Sequence, residues 1–230
     1  MPVDPNAAIE ISAFRWVPPF AQGLVRDLRI RWALEEIGRP YRVRLLDATH
    51  PRPAEYYEEQ PWGQVPIYKD EEVQLFESGA ILIHLGMKDE RLLPSETSAR
   101  MRGIAWLIAA LNSVEPAIFP LILVNVFNRG EAWADEARPK FMERIEGRLK
   151  GLSEALGDKE WLEDRFSIGD LMMVTALRQL RNDKILDQFP NVVAFVKRGE
   201  ERPAFKVALS DQLAVYREHE PQPEPEGEAA

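Results

Sequence analysis

Residues 61–80 read PWGQVPIYKDEEVQLFESGA, and this stretch decides the fold. Pro61 to Tyr68 leads into a short strand, Asp70, Glu71 and Glu72 turn the chain, and Val73 to Phe76 makes a second strand. Ser78 then opens a helix through Ala80, Ile81, Ile83 and His84. Two strands joined by so tight a turn are expected to form a hairpin, with a helix after it.

Upstream of this unit, Ile9 to Phe14 (IEISAF) alternates apolar and polar residues as a half-buried strand does, and Trp16 to Phe20 (WVPPF) breaks the pattern. From Gln22 onward Leu24, Leu28 and Trp32 recur at four-residue spacing, with Val25, Ile30, Leu34 and Ile37 widening the stripe, until Gly38 and Pro40 stop it. That spacing predicts a helix of about four turns starting at Gln22. A strand at Tyr41 to Leu46 and a short helix near Ala54 to Glu59 complete the order β-α-β-α-β-β-α. In such a unit the first two strands are expected to be parallel with a right-handed crossover, a thioredoxin-like arrangement.

Downstream of Pro94 the signals change to long helices without strands. Met101 to Val114 carries Ile104, Leu107, Ile108 and Leu111 at helical spacing, and Pro116 and Pro120 are expected to interrupt or kink the helix beyond it. Phe141, Ile145, Leu149, Leu152 and Leu156 define a further amphipathic helix. Phe166 to Leu171 (FSIGDL) has the form of a helix start, with Ser167 as cap, Asp170 reaching back and Phe166 packing on Leu171. The fold class read here is α/β plus all-α, with a thioredoxin-like domain at residues 1–88 and an all-helical domain at 96–220. Residues 221–230, where Pro221, Pro223 and Pro225 alternate with polar and acidic residues, read as a disordered tail.

Composition narrows the function. With no cysteine, disulfides, thiolate metal sites and protein-thiol nucleophiles are excluded, glutaredoxin-like exchange among them. His50, His84 and His219 are too scattered to suggest a metal site, so no metal is expected. A net charge of −9 argues against a nucleic-acid partner. No run of apolar residues long enough for a membrane span and no signal-peptide pattern is present, which points to a soluble cytoplasmic protein away from membranes.

Gly63-Gln64-Val65-Pro66 before a strand, Glu77-Ser78 at a strand-to-helix junction and Ser167-Ile168-Gly169-Asp170 opening a helix together resemble the glutathione transferase family. LEEIGRP at 34–40 and ERPAF at 201–205 are similar to it as well, and the resemblance spans roughly residues 9 to 217. It implies a cis Val65-Pro66 bond that leaves the Val65 backbone free to pair with the cysteinyl part of glutathione like an added strand. It also implies that the γ-glutamyl group is received by Glu77, which can accept from the ammonium, and by the helix start at Ser78, whose N–H groups suit the carboxylate. Two duties fit Ser78, capping its own helix and holding the ligand, and they are compatible. Gln64 can contact the cysteinyl-glycine end or lie solvated at a sheet edge. A homodimer is a further implication of the resemblance.

One part of the family pattern is missing. Members that activate the thiol present a Tyr, Ser or Cys after the first strand, and RWVPPFAQGLV at 15–25 holds none of them. Ser12 is near but falls inside the predicted strand. The substitutes considered are the backbone N–H groups around Ala21, Gln22 and Gly23 with the Gln22 side chain, then the guanidinium of Arg26, Arg29 or Arg31. Gln22 comes first and Arg26 second. Phe14, Trp16 and Phe20 with Trp106 and Phe119 are expected to line an apolar pocket for a small hydrophobic electrophile, with Arg178 and Arg181 reaching or covering the cleft. The function these expectations describe is conjugation of glutathione, as co-substrate, to such electrophiles, or glutathione-dependent peroxide reduction. The competing reading, motivated by the missing hydroxyl, is a non-catalytic binding or scaffold protein.

Overall fold

The computed structural model describes residues 3–48 and 51–221. His50 and all of the expected tail except Pro221 lie outside the described residues. In chain order the elements of the first half are β1 Ile9–Phe14, α1 Asp27–Glu36, β2 Tyr41–Leu46, α2 Ala54–Glu59, β3 Ile67–Lys69, β4 Gln74–Phe76 and α3 Ser78–Lys88. They make a mixed sheet of order β2-β1-β3-β4, with β1 and β2 parallel and β3 and β4 an antiparallel hairpin. The thioredoxin-like order read from the sequence is the order found. Val73 stays in the turn before β4.

Two readings need correction. The first helix begins at Asp27, five residues after the expected Gln22. Residues 17–26 instead fold as successive turns, with Ala21 N–H donating to Pro18 O (2.9 Å), Gln22 N–H to Pro19 O (3.3 Å) and Leu24 N–H to Ala21 O (3.0 Å). Gly23 at φ +74° supplies the left-handed residue this path requires, and a side chain there would meet Leu209 at 3.1 Å. The apolar spacing of Leu24 and Val25 misleads because the loop packs into the fold almost as a helix would.

The second correction concerns Pro116 and Pro120. Helical structure runs without a break from Thr97 to Phe127, as α4 (Thr97–Ala109), a π segment (Ala110–Val114), α5 (Glu115–Ile122) and another π segment (Leu123–Phe127). A proline removes a hydrogen-bond donor from the ladder, and wider π turns flank the two prolines; of the interruption or kink expected there, no interruption occurs. By length and composition this run could cross a membrane, and 44% of its most apolar window is buried within the protein. α6 (Ala132–Leu156), α7 (Ile168–Leu177), α8 (Pro190–Glu201) and α9 (Pro203–Glu218) complete the helical half.

α7 is buried along its whole length and packs on α4, α1 and α8, so it forms the axis of the second domain. Its start is built as the sequence predicts: Ser167 N–H and Oγ–H donate to Asp170, whose other oxygen accepts from Leu162 N–H at 2.8 Å. Trp32 of α1 stacks on Phe166 and Phe205, and α9 lies along α1, which locks the helical half onto the sheet half.

Candidate functional site

Behind the Gly63–Pro66 segment a chain of hydroxyls runs in one direction. Ile67 N–H donates to Ser12 Oγ (2.8 Å), Ser12 lies 2.8 Å from the Tyr56 hydroxyl, and Tyr56 donates to Gln64 O (2.6 Å). Ser12 is fully buried and spent on this brace, which removes it as a thiol activator. The Val65-Pro66 peptide is cis, and among the described residues neither the N–H nor the C=O of Val65 has a hydrogen-bond partner. A ligand strand can therefore pair there.

A cavity of about 370 Å³ opens in front of this segment, lined by Phe14, Leu24, Val25, Arg26, Arg52 and Gln64 among others. Arg52 is buried, donates from Nε to Gly63 O at 3.0 Å and stacks 4.6 Å over the Phe14 ring. It places a cation at the far end of the cavity, a residue that sequence reasoning missed. Its tie to Gly63 spans eleven positions and leaves no local pattern.

At the end of β4 the chain turns through Glu77 at φ +69°, the single non-glycine residue in the left-handed region among those described. Such a backbone is costly and clusters at functional sites. Its exposed side chain stands beside the start of α3, where Ser78 is buried and accepts from Arg29 Nη1 at 3.1 Å. Arg29 continues through Nη2 to Glu115 Oε1 (2.6 Å), which also accepts from Gln179 Nε2 (2.9 Å) and lies 3.7 Å from Arg26. Burial alone would push the Glu115 carboxyl up, but Arg29 and Arg26 beside it hold it below the ordinary carboxylate range. The base of the cleft is thus a charged seam joining α1, α3, α5 and the end of α7. Arg29 belongs to this seam, and Arg31 pairs with buried Asp27, so neither is available to a thiolate.

A second cavity of about 320 Å³ continues from the first, with Phe20, Ile118, Phe119, Ile122, Val126 and Phe127 on its apolar walls. Phe20 and Phe127 meet edge to face with ring centres 5.9 Å apart. Leu24, Val25 and Arg26 line both cavities, so the two lobes meet at the end of the first loop.

Gln64, Val65 and Arg26 line this cleft, with Phe14, Phe20 and Phe119; Pro66 follows in the cis peptide, while Glu77 and Ser78 line neither lobe, Ser78 being tied to the apolar lobe through Arg29 and Glu115. Gln22 is not brought there: its amide donates to Val17 O at 3.1 Å, and it lines neither lobe. The amides of Ala21 and Gln22 are spent in turns. Trp106 lies away from the cleft, its ring N–H on Glu163 at 2.9 Å and its Cβ against Gly169. Trp16 is half-buried and lines neither lobe. Arg178 and Arg181 grip the loop backbone, donating to Gly23 O (3.4 Å) and Phe20 O (3.2 Å), and Arg181 also reaches the apolar lobe. Among the described residues no group of three or more His, Asp or Glu side chains could hold a metal.

Comparison with known proteins bears on the same two halves. The model of the glutathione S-transferase N-terminal domain matches residues 22–86, and that of the C-terminal domain matches residues 122–211. The chain belongs to the glutathione S-transferase family. Among curated relatives, glutathione S-transferase GstA of Escherichia coli O157:H7 is 29% identical over 186 residues, covering 77% of this chain and 89% of that protein. Glutathione S-transferase 3 of Schizosaccharomyces pombe is 25% identical over 232 residues, covering 87% and 93%. Among solved structures, a glutathione transferase of Burkholderia graminis with two glutathione molecules bound per subunit superposes with a TM-score of 0.76 at 24% identity, covering 88% of this chain and 87% of that one. One from Pseudomonas putida with a glutathione disulfide bound gives 0.76 at 22% identity, covering 90% and 93%. These glutathione S-transferase structures share the same thioredoxin-like and helical architecture.

Proposed function

We propose that this chain is a glutathione transferase that joins the glutathione sulfur to small apolar electrophiles. The observation that carries the reading is the meeting of a peptide-pairing lobe and an apolar lobe at Leu24–Arg26, because a thiol held there faces both. The Val65 backbone pairs with the cysteinyl unit. Ser78, the α3 start and Glu77 take the two charged ends of the γ-glutamyl unit. Gln64 contacts the cysteinyl-glycine end, and Arg52 receives the glycine carboxylate.

In place of a Tyr, Ser or Cys, the sulfur is met by the Arg26 guanidinium and by the Val25 and Arg26 N–H groups, which have no acceptor among the described residues. A thiol of pKa near 8.5 is mostly protonated at neutral pH, and lowering it by one unit needs only about 1.4 kcal/mol of preference for the anion. One charge-assisted hydrogen bond is worth about that much. The thiolate then attacks the electrophilic carbon, the S–C bond forms and the leaving group departs with its electron pair. Phe20, Phe119 and Phe127 suit an aromatic electrophile by edge-to-face contact.

Glutathione-dependent peroxide reduction is a second reading, favoured by relatives that hold two glutathiones or a glutathione disulfide. There the thiolate attacks the O–O bond, the alcohol leaves, and a second glutathione yields the disulfide and water. The two are separated by assaying purified protein with an aromatic halide and with a hydroperoxide. Absence of turnover with both, alongside measurable glutathione binding, would favour a scaffold.

We assign the protein a homodimeric state from the exposed stripe Met101, Ala105 and Ile108 on α4, which repeats at i, i+4 and i+7 with no cover in the monomer.

A further inference from the structure

The loop segment Leu24–Arg26, which lines both lobes, is held from behind by the last helix. Gln212 of α9 is 1% exposed, and its Nε2 donates to Asp27 Oδ1 at 2.7 Å and Val25 O at 3.3 Å. Both partners are acceptors, which fixes the amide nitrogen on this side. Asp27 is anchored in turn by Arg31 Nε at 2.8 Å, so Gln212 is tied to a rigid point as well as to the loop.

The Val25 carbonyl belongs to the same peptide unit as the Arg26 N–H. In a planar trans peptide the two groups point in opposite directions. Val25 O also accepts from Leu28 N–H at 3.1 Å, the first bond of α1, so the helix start directs this carbonyl and Gln212 adds a second donor to it, with Arg26 N–H turned to the opposite side. That N–H has no acceptor among the described residues. A hydrogen bond accepted at one end of a peptide also strengthens the donor at the other end. The grips of Arg178 on Gly23 O and Arg181 on Phe20 O do not have this effect. Their peptide units end in the N–H groups of Leu24 and Ala21, which already close turns.

We infer that Gln212 is a positioning residue for the thiolate: as the second donor to the Val25 carbonyl, beside Leu28 N–H, it steadies and polarises the peptide whose Arg26 N–H meets the glutathione sulfur. The inference rests on the proposed binding of glutathione in the cleft. The charged groups around this peptide are Arg26 and Glu115 on the cleft side, Arg181 across the apolar lobe, and Asp27 with Arg31 behind it.

The test is a titration of protein-bound glutathione, followed by thiolate ultraviolet absorbance, in the unaltered protein and in Gln212→Met, Gln212→Leu and Arg181→Lys. The expected result is a bound thiol pKa that rises by about one unit in both Gln212 variants, corresponding to the loss of one hydrogen bond to the anion, with glutathione affinity at low pH within about twofold. Two neutral replacements of different shape are used so that a packing change in either one is not mistaken for the lost hydrogen bond. Arg181→Lys keeps its charge and is expected to leave the thiol pKa in place.

The sign separates positioning from a field effect. Removing Gln212 favours a protonated Asp27, which would by itself lower the thiol pKa. An unchanged or lowered pKa in folded Gln212→Met and Gln212→Leu overturns the inference while leaving the glutathione reading intact. An equal rise in Arg181→Lys overturns it too, since the effect would then belong to the loop at large. A bound thiol in the unaltered protein that titrates like free glutathione overturns both.

Discussion

At Ser78 one hydroxyl serves the fold and, in the proposed function, the ligand. Its oxygen accepts from Arg29, and its proton remains to donate to an anion placed at the α3 start. Ser78→Ala is expected to weaken glutathione binding about tenfold, the equivalent of about 1.4 kcal/mol, as measured by calorimetry. Arg26→Met is expected to raise the bound thiol pKa by about one unit and to lower kcat/KM at neutral pH by a similar factor of about ten. A pH–rate profile checks this, because the loss should vanish at alkaline pH where the thiol ionises unaided. The residues that are legible in the sequence are those with local motifs, Val65, Pro66, Glu77 and Ser78. Arg52, Glu115 and Gln212 are illegible for a physical reason. Arg29 and Glu115 are 86 positions apart and Gln212 and Asp27 are 185 apart, so only the folded chain brings them together.

At the scale of elements, the start of α7 has the largest predicted effect on stability. Asp170 accepts from Ser167 and from Leu162 N–H while buried, and burial pushes its carboxyl up to about 6. Asp170→Ala would leave buried N–H groups unpaired as well as removing half of the capping box. It is expected to cost about 2–4 kcal/mol, read as a lowered denaturant midpoint. This start is legible because a capping box is a local code. The start of α1 is not, since Leu24 and Val25 keep helical spacing while Pro18, Pro19 and Gly23 force turns whose register only the gripping arginines reveal. Periodicity reports which residues are buried, and a well-packed loop buries residues too. The Gln22 assignment rested on that early start and its side chain lines neither lobe, whereas Arg26, the residue just before the true helix, lines both.

For the whole molecule, the apolar stripe on α4 predicts association. Light scattering is expected to give a dimer, and Met101→Glu with Ile108→Glu a folded monomer. The pH dependence of stability follows from Glu35, whose carboxyl is pushed from the ordinary 4.5 up to about 7 by burial and then by the Asp211 carboxylate. Its folded-state pKa lies above the unfolded one, so the native state binds more protons between these values. The contribution of Glu35 to stability is full below about pH 4.5 and is lost as the pH rises through about 7, with Asp170 adding in the same direction up to about 6, while Asp70 and Glu115, whose carboxyls are held down, act oppositely in acid. Glu35→Gln is expected to flatten the upper part of this slope in thermal denaturation.

The central claim is that the cleft binds glutathione as a thiolate without a Tyr, Ser or Cys. Calorimetric titration with glutathione near pH 7, in two buffers of different ionisation enthalpy, tests it most directly. The predicted result is binding that releases a measurable fraction of a proton, because the bound thiol ionises at lower pH than the free one near 8.5. Binding with no proton released, or no binding at all, would contradict it.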